Sequence, residues 1–197
     1  MNKKLKYLSV IFLLLFARGC DFYSTSLWIF EENGLAQETN PLARFFGVGW
    51  NGLVIVNIIA TGIIAYCYYT YVFKYKINPN LNPKPNNFKE YISLLYFGHK
   101  NQFSKLLYKF PKNKVASTSH FGYIAIWGVI FGSFYAAMHN LLQFYNNETY
   151  DVILNFIHFR ALFGYCMLFG PLIYLSIRLY KREYREYLQL GDGVDQS

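Results

Sequence analysis

Four long apolar stretches constrain this chain more than any other feature of its sequence. They cover about residues 5–30, 52–73, 121–145 and 152–177, and each is close to the roughly 20 residues that a helix needs to cross a bilayer. In lipid the backbone must pair its own polar groups, and only helices and closed β-barrels achieve this. Barrel strands would appear as short segments of alternating polarity rather than as continuous apolar stretches. The sequence therefore predicts an all-α integral membrane protein, a four-helix bundle.

Composition supports this fold class. Hydrophobic residues make up 54% of the chain and charged residues only 15%, against roughly 25% charged residues in a typical soluble domain. This excludes an ordinary soluble domain and a disordered chain. The three cysteines are scattered without a Cys-x-x-Cys pair, which argues against a disulfide framework or a zinc knuckle. The first stretch is expected to remain as a helix, because Ala17-Arg18-Gly19 is a poor signal-peptide cleavage site.

Basic residues orient the predicted bundle. Sixteen of the nineteen Lys and Arg residues lie in the N-terminal end, in the connection over residues 74–117, or in the tail over residues 178–197. The other two connections carry only Arg44 against several acidic residues. The positive-inside rule therefore places both termini and the long connection in the cytoplasm. We expect the bacterial inner (plasma) membrane as the location and anionic lipids at its cytoplasmic face, not nucleic acid, as partners of the lysines.

The long connection is expected to be structured. Residues 78–87 read N-P-N-L-N-P-K-P-N-N, an extended stretch that cannot be helical. Apolar residues then recur at helical spacing from Phe88 to Phe110. This pattern predicts one or two amphipathic helices at the membrane interface, broken near Gly98, with Ile92, Leu95 and Leu107 against lipid or the bundle. The alternative is a solvated basic loop that only determines topology.

Polar residues within the apolar stretches carry the functional signal. At 1.5 Å of rise per residue, all four stretches place polar groups in the outer half of the membrane, and the inner half is left almost purely apolar and aromatic. Arg18, Asp21 and Thr25 are three or four residues apart, so they share a helix face, and Arg18 is expected to pair with Asp21. The candidate ligand-binding or polar cluster consists of Arg18, Asp21, Thr25, Glu38, Asn57, His139, Asn140, His158 and Arg160.

Several roles are open for this cluster. Its members can serve as a buried ion pair and hydrogen bonds that join helices. His139 and His158 lie at matching depth on consecutive antiparallel helices, which suits a b-type haem, and with nearby carboxylates they can bind a metal ion. A third hypothesis is a pocket in which Arg18 or Arg160 binds an anionic or zwitterionic ligand.

Two short segments resemble a known pattern. They read Arg18-Gly-Cys-Asp21-Phe-Tyr-Ser24-Thr25 and Glu38-Thr-Asn40-Pro41-Leu-Ala-Arg44. The pattern is similar to that of small uncharacterised polytopic membrane proteins, in which an Asp and a Ser or Thr of the first helix precede an outer E-x-N-P loop. The resemblance implies a four-helix membrane protein and points to Asp21, Thr25, Glu38, Asn40 and Pro41, but it implies no activity.

The predicted function is that of a small multi-pass membrane protein with an outer-facing polar pocket. We expect a non-enzymatic accessory or assembly subunit, or a small-ligand binding or transport component, with a membrane protein or a second copy of the chain as partner. The alternative is a membrane-embedded metal- or haem-dependent enzyme.

Overall fold

The computed structural model describes residues 2–30, 47–156 and 160–194, and every regular element within these ranges is helical. The all-α prediction is therefore confirmed for the described residues. Within these ranges six α-helices follow one another: α1 (Lys3–Ile29), α2 (Trp50–Tyr69), α3 (Phe88–Phe97), α4 (Lys114–Phe144), α5 (Glu148–Phe156) and α6 (Arg160–Val194). A π-helical turn (Thr70–Lys74) continues α2, and a 3-10 helix (Phe103–Leu107) lies between α3 and α4.

Two of the described helices are long and apolar enough to cross a membrane. They are α2 with its π-helical turn, Trp50–Lys74, and α4, Lys114–Phe144. Only 17% of the most apolar part of the first and 28% of the second is buried within the protein. The core helix of a water-soluble protein would bury most of its apolar surface. These two helices correspond to the second and third apolar stretches of the sequence.

The first apolar stretch corresponds to one helix, whereas the fourth is divided between two. Helix α1 covers the first stretch without a break. The fourth stretch falls on α5 and α6, and residues 157–159 between them lie outside the described part of the chain. Helix α6 continues through Pro171 and then runs to Val194, through the segment that the sequence had suggested to be a tail. Tyrosines at positions 180, 184 and 187 explain the extension, because this spacing places them on one face of a helix.

The chain forms two compact units. The first unit consists of Met1–Ala65 and Ala125–Gly170, and the second unit consists of Tyr66–Ile124 and Pro171–Ser197. Helices α2, α4 and α6 contribute residues to both units. The polar residues proposed from the sequence belong to the first unit, and the lysine-rich connection belongs to the second.

Helix α3 forms directly after the Pro/Asn stretch because both of its ends are capped. Asn87 Oδ1 accepts a hydrogen bond from the backbone N–H of Glu90, and Glu90 Oε2 accepts one from the backbone N–H of Asn86, both at 3.0 Å. The first bond is an N-cap, and the second ties the Glu90 side chain to the residue before that cap. At the other end Gly98 adopts a left-handed conformation with φ of 76°, which glycine tolerates without strain. The predicted helix and its break at Gly98 are confirmed.

Helix α3 lies in the core of the second unit. All seven residues from Tyr91 to Phe97 are buried, and they pack with Ala116 of α4 and Tyr187 of α6. Ile92 and Leu95 therefore contact protein rather than lipid. The expected second helix is only the short 3-10 helix, and the side chain of Leu107 lies outside the described part of the structure. Protein covers α3 because α6 extends far enough to pack on it.

Candidate functional site

Arg18 is the centre of a hydrogen-bonded network in the first unit. Its Nη1 lies 2.5 Å from Asp21 Oδ2 and donates to Ser133 Oγ at 3.0 Å. Its Nη2 donates to Asn57 Oδ1. The side chains of Arg18 and Asp21 are only 14% and 17% exposed. The predicted Arg18–Asp21 pair is confirmed, and the network joins α1, α2 and α4.

The local sequence orients each member of this network. Arg18 and Asp21 are three residues apart on α1, so their side chains meet on one face. The amide of Asn57 donates to the backbone carbonyl of Leu53 at 2.8 Å, which leaves its oxygen as the acceptor for Arg18. The guanidinium carbon also lies 4.9 Å from the centre of the Phe22 ring. Protein groups bind both terminal nitrogens of Arg18 and use three of its five N–H groups. This geometry is typical of a clamp between helices.

A second group in the first unit surrounds Asn140. Its amide nitrogen donates to Ser24 Oγ at 3.3 Å and to Thr25 Oγ1 at 3.2 Å. The indole N–H of Trp28 donates to the Asn140 backbone carbonyl at 3.2 Å. Ser24 is completely buried. The structure therefore brings the predicted residues Thr25 and Asn140 together, as hydrogen bonds between α1 and α4.

His139 belongs to a third group. Its Nδ1 lies 2.5 Å from the hydroxyl of Tyr150, and its ring stacks on that of Tyr135 at 6.2 Å between ring centres. Glu38 and His158 lie outside the described residues, and the side chain of Arg160 does as well. The haem or metal pair of His139 and His158 therefore stays a prediction. Within the described ranges, no group of three or more His, Cys, Asp or Glu residues is placed to hold a metal ion.

The most buried ionisable pair among the described residues lies in the second unit and was not predicted from the sequence. His120 and Glu183 are 1% and 2% exposed, and His120 Nε2 lies 2.8 Å from Glu183 Oε2. Tyr75 donates its hydroxyl to the same carboxylate oxygen at 2.8 Å. The hydroxyl of Tyr96 lies 2.5 Å from His120 Nδ1 and 3.1 Å from the hydroxyl of Tyr180. We call these five residues the His120–Glu183 cluster.

Four elements of the second unit hold this cluster together. Tyr75 directly follows the π-helical turn, where its backbone N–H donates to the carbonyl of Thr70 at 2.8 Å. The Thr70 hydroxyl in turn lies 3.1 Å from that of Ser119, next to His120 on α4. Tyr96 comes from α3, and α6 contributes Tyr180 and Glu183. The cluster thus joins the end of α2 to three other helices.

The tyrosines of the cluster act as neutral hydroxyl groups. Burial, followed by the nearby charge of Glu183, raises the pKa of Tyr75. Burial, followed by the neighbouring Tyr180, raises the pKa of Tyr96, and burial raises the pKa of Tyr180 as well. Desolvation penalises the phenolate form. These hydroxyls therefore keep their protons at neutral pH and can each donate one hydrogen bond and accept another.

The His120–Glu183 cluster was not predicted because the inner half of the membrane-spanning region was expected to be apolar and aromatic. His120 comes one residue before the predicted third stretch, and Glu183 lies in the predicted tail, so neither was counted among intramembrane polar groups. The useful signal was the segment K-R-E-Y-R-E-Y at residues 181–187. Its tyrosines share a helix face with those that precede it, and a buried face that includes an acidic residue requires a partner.

Comparison with known proteins assigns no family. The chain matches no protein-family model, no curated protein and no solved structure. A function is therefore inferred from the contacts within each of the two units.

Proposed function

We propose that the chain is a four-span integral membrane protein, with both termini in the cytoplasm, that acts as a non-enzymatic accessory or assembly subunit or as a small-ligand binding or transport component. The bacterial inner membrane is its proposed location. The observation that supports this proposal is the combination of apolar side chains on the outside of the helices with ion-paired groups between them. Water would penalise such a surface, but lipid does not.

Helix α2 illustrates this surface. Four isoleucines on it are each more than half exposed: Ile55, Ile58, Ile59 and Ile63. Asn57, on the same helix, is turned toward Arg18 and its own backbone. Helix α1 likewise exposes Leu5, Leu8, Phe12, Leu15 and Phe16, which supports its proposed role as the first span. The fourth span in this proposal runs over residues 152–177.

The partners of the polar groups favour a structural or binding role over catalysis. Arg18 and Asn140 are occupied by hydrogen bonds to neighbouring helices. His120 and Glu183 form an acid–base pair, but both are too buried to touch a substrate. Catalysis by these groups would require hydrogen-bond reach to a reacting atom. The non-enzymatic proposal therefore fits the described side chains better than the haem- or metal-dependent alternative.

Anionic lipids are the partner that we propose for the 3-10 segment. Three aromatic side chains around it are exposed, and Phe110 is 98% exposed. A depression of about 300 Å³ lies beside them, lined by Phe97, His99, Gln102, Lys105, Lys109, Phe110 and Lys112. Aromatic rings at headgroup depth and lysines near phosphates are typical of a contact with the cytoplasmic leaflet.

Thiol labelling tests the proposed topology. In a background in which Cys20, Cys67 and Cys166 are replaced by serine, Asn80→Cys is expected to resist an impermeant maleimide in intact cells, and Thr149→Cys is expected to react. Both positions are exposed on the protein, so the membrane alone decides access. Permeabilised cells provide the control, since both variants should then react. Labelling of Asn80→Cys together with protection of Thr149→Cys in intact cells would overturn the orientation.

Purification in mild detergent tests the non-enzymatic proposal. The expected result is a protein without a Soret band and without stoichiometric metal, which migrates either with a partner at fixed ratio or as an oligomer of itself. The test uses native gels, an absorption spectrum and elemental analysis of the same fraction. A Soret band that His139→Ala removes would instead establish the haem-dependent alternative.

A further inference from the structure

We propose that His120 and Glu183 form an internal proton-binding site, and that Tyr96 and Tyr180 relay the proton between this site and the surface of the second unit. The inference goes beyond the proposed function and does not depend on the orientation of the chain in a membrane. Its ligand is a single proton. The contacts that carry it all lie within the second unit.

His120 and Glu183 are in close contact but are not aligned for a hydrogen bond. His120 Nε2 lies 2.8 Å from Glu183 Oε2, but the N–H direction is not aligned with that oxygen, and Nε2 has no aligned hydrogen-bond acceptor. The contact is therefore mainly electrostatic, and it is strongest when the imidazole is charged. Oε2 also accepts the Tyr75 hydroxyl, which stabilises the ionised carboxylate. An imidazole beside a buried carboxylate is arranged to take up one proton.

The pair and the Tyr96 hydroxyl can hold one proton more without a change of partners. With a neutral imidazole protonated at Nε2, Nδ1 accepts from Tyr96, and the pair carries one buried negative charge. With an imidazolium, Nδ1 donates to the Tyr96 oxygen, the Tyr96 hydroxyl turns toward Tyr180, and the pair is neutral. The hydrogen bonds can run in either direction along this chain. Either hydroxyl can be the donor between Tyr96 and Tyr180, and the protonation of the His120 ring decides which group donates between Tyr96 and His120.

The hydroxyls of Tyr96 and Tyr180 continue from His120 in a chain of hydrogen bonds. Tyr96 is buried, whereas Tyr180 is only partly buried, so Tyr180 is the more exposed end of the hydroxyl chain. A proton that binds the Tyr180 oxygen releases the original Tyr180 proton to Tyr96, and Tyr96 passes its own proton to Nδ1. Each hydroxyl ends with one proton, and His120 has gained one. No other reactant is needed.

The titratable residues around His120 and Glu183 are mostly tyrosines, so the pair itself is the site of proton uptake. Glu183 lies close enough to act electrostatically on five tyrosines: Tyr71, Tyr75, Tyr91, Tyr96 and Tyr180. The next groups out are Tyr123 and Arg182, which act on Tyr71, and Glu186, which acts on Tyr91. Arg182 donates to the Tyr71 hydroxyl and lies 3.6 Å from Glu186. Among the described residues, His120 is thus the basic side chain that contacts Glu183 directly.

NMR of ¹⁵N-imidazole-labelled full-length protein in nanodiscs tests the proposal. The signal of His120 is assigned by its loss in His120→Gln. As the pH falls, His120 is expected to change from neutral to doubly protonated imidazole in a single step of one proton. Glu183→Gln should abolish this step, because the charged imidazole then lacks its carboxylate. Tyr96→Phe should slow exchange of the Nδ1 proton with water, whereas Tyr91→Phe, on the same helix and equally buried, should not.

One fixed protonation state of His120 across the pH range in which the chain stays folded would show a purely structural ion pair and overturn the proposal. A Glu183→Gln variant that takes up the proton like the wild type would do the same. If Glu183→Gln does not fold, the ¹³C carboxyl signal of Glu183 in the wild-type chain decides. A Glu183 signal that responds to pH together with that of His120 supports the site, and a signal that does not respond overturns it.

Discussion

Asp21→Asn is expected to reduce the free energy of unfolding by roughly 3–5 kcal/mol, the cost of leaving one member of a buried ion pair without its partner. The Arg18 guanidinium would keep its hydrogen bonds to Asn57 and Ser133 but would lose the only charge that the described structure places against it. The measurement is the denaturant midpoint of the protein in detergent, followed by tryptophan fluorescence.

The double variant Arg18→Leu with Asp21→Asn distinguishes the cost of one unpaired charge from the net contribution of the ion pair to stability. Removal of both charges leaves neither member of this pair without the other, so part of the lost stability is expected to return. Ser26→Ala is the matched control on α1, since the Ser26 hydroxyl bonds to the Tyr23 carbonyl of its own helix, and its midpoint should stay near that of the wild type. A midpoint of Asp21→Asn near that of the wild type would show that the carboxylate does not stabilise the fold.

This network shows what the sequence is able to predict. Arg18 and Asp21 are neighbours along one helix, so their contact follows from the helical period alone. Asn57 and Asn140 were placed at the same depth by counting residues, and the structure gives each of them a partner on α1. Ser133 was not predicted, because a small hydroxyl in an apolar stretch carries little signal until its neighbouring helix is known.

The His120–Glu183 cluster shows where such reasoning stops. Its two charged members are separated by sixty-three positions in the sequence, and no local period relates α4 to α6. The contact depends on α6 continuing beyond residue 177 and on the π-helical turn that orients Tyr75. Both features are tertiary outcomes. The charges of the K-R-E-Y segment favoured a solvated tail, and only packing on α3 makes that segment a buried helix face.

Helix packing in the second unit depends on a glycine that the sequence did not single out. A Cβ atom at Gly122 of α4 would lie 2.2 Å from the backbone carbon of Cys67 and 2.4 Å from the backbone nitrogen of Tyr68. Both neighbours are main-chain atoms of α2, which no rotamer change can move. The two helices are therefore in backbone contact at this point, two residues from His120.

Gly122→Ala is accordingly expected to lower the thermal midpoint of the purified protein, although alanine is intrinsically the better helix former by about 0.8–1.0 kcal/mol. Overpacking typically costs about 1–3 kcal/mol, and here the strain falls on two backbones that must separate. Gly62→Ala on α2 is the control, because nothing lies within 4 Å of its added methyl group, so its midpoint should stay equal or rise. Separation of α4 from α2 should also weaken the hydroxyl contact between Thr70 and Ser119 and with it the position of His120. A midpoint of Gly122→Ala at or above that of Gly62→Ala would show that the backbones do not touch at this position.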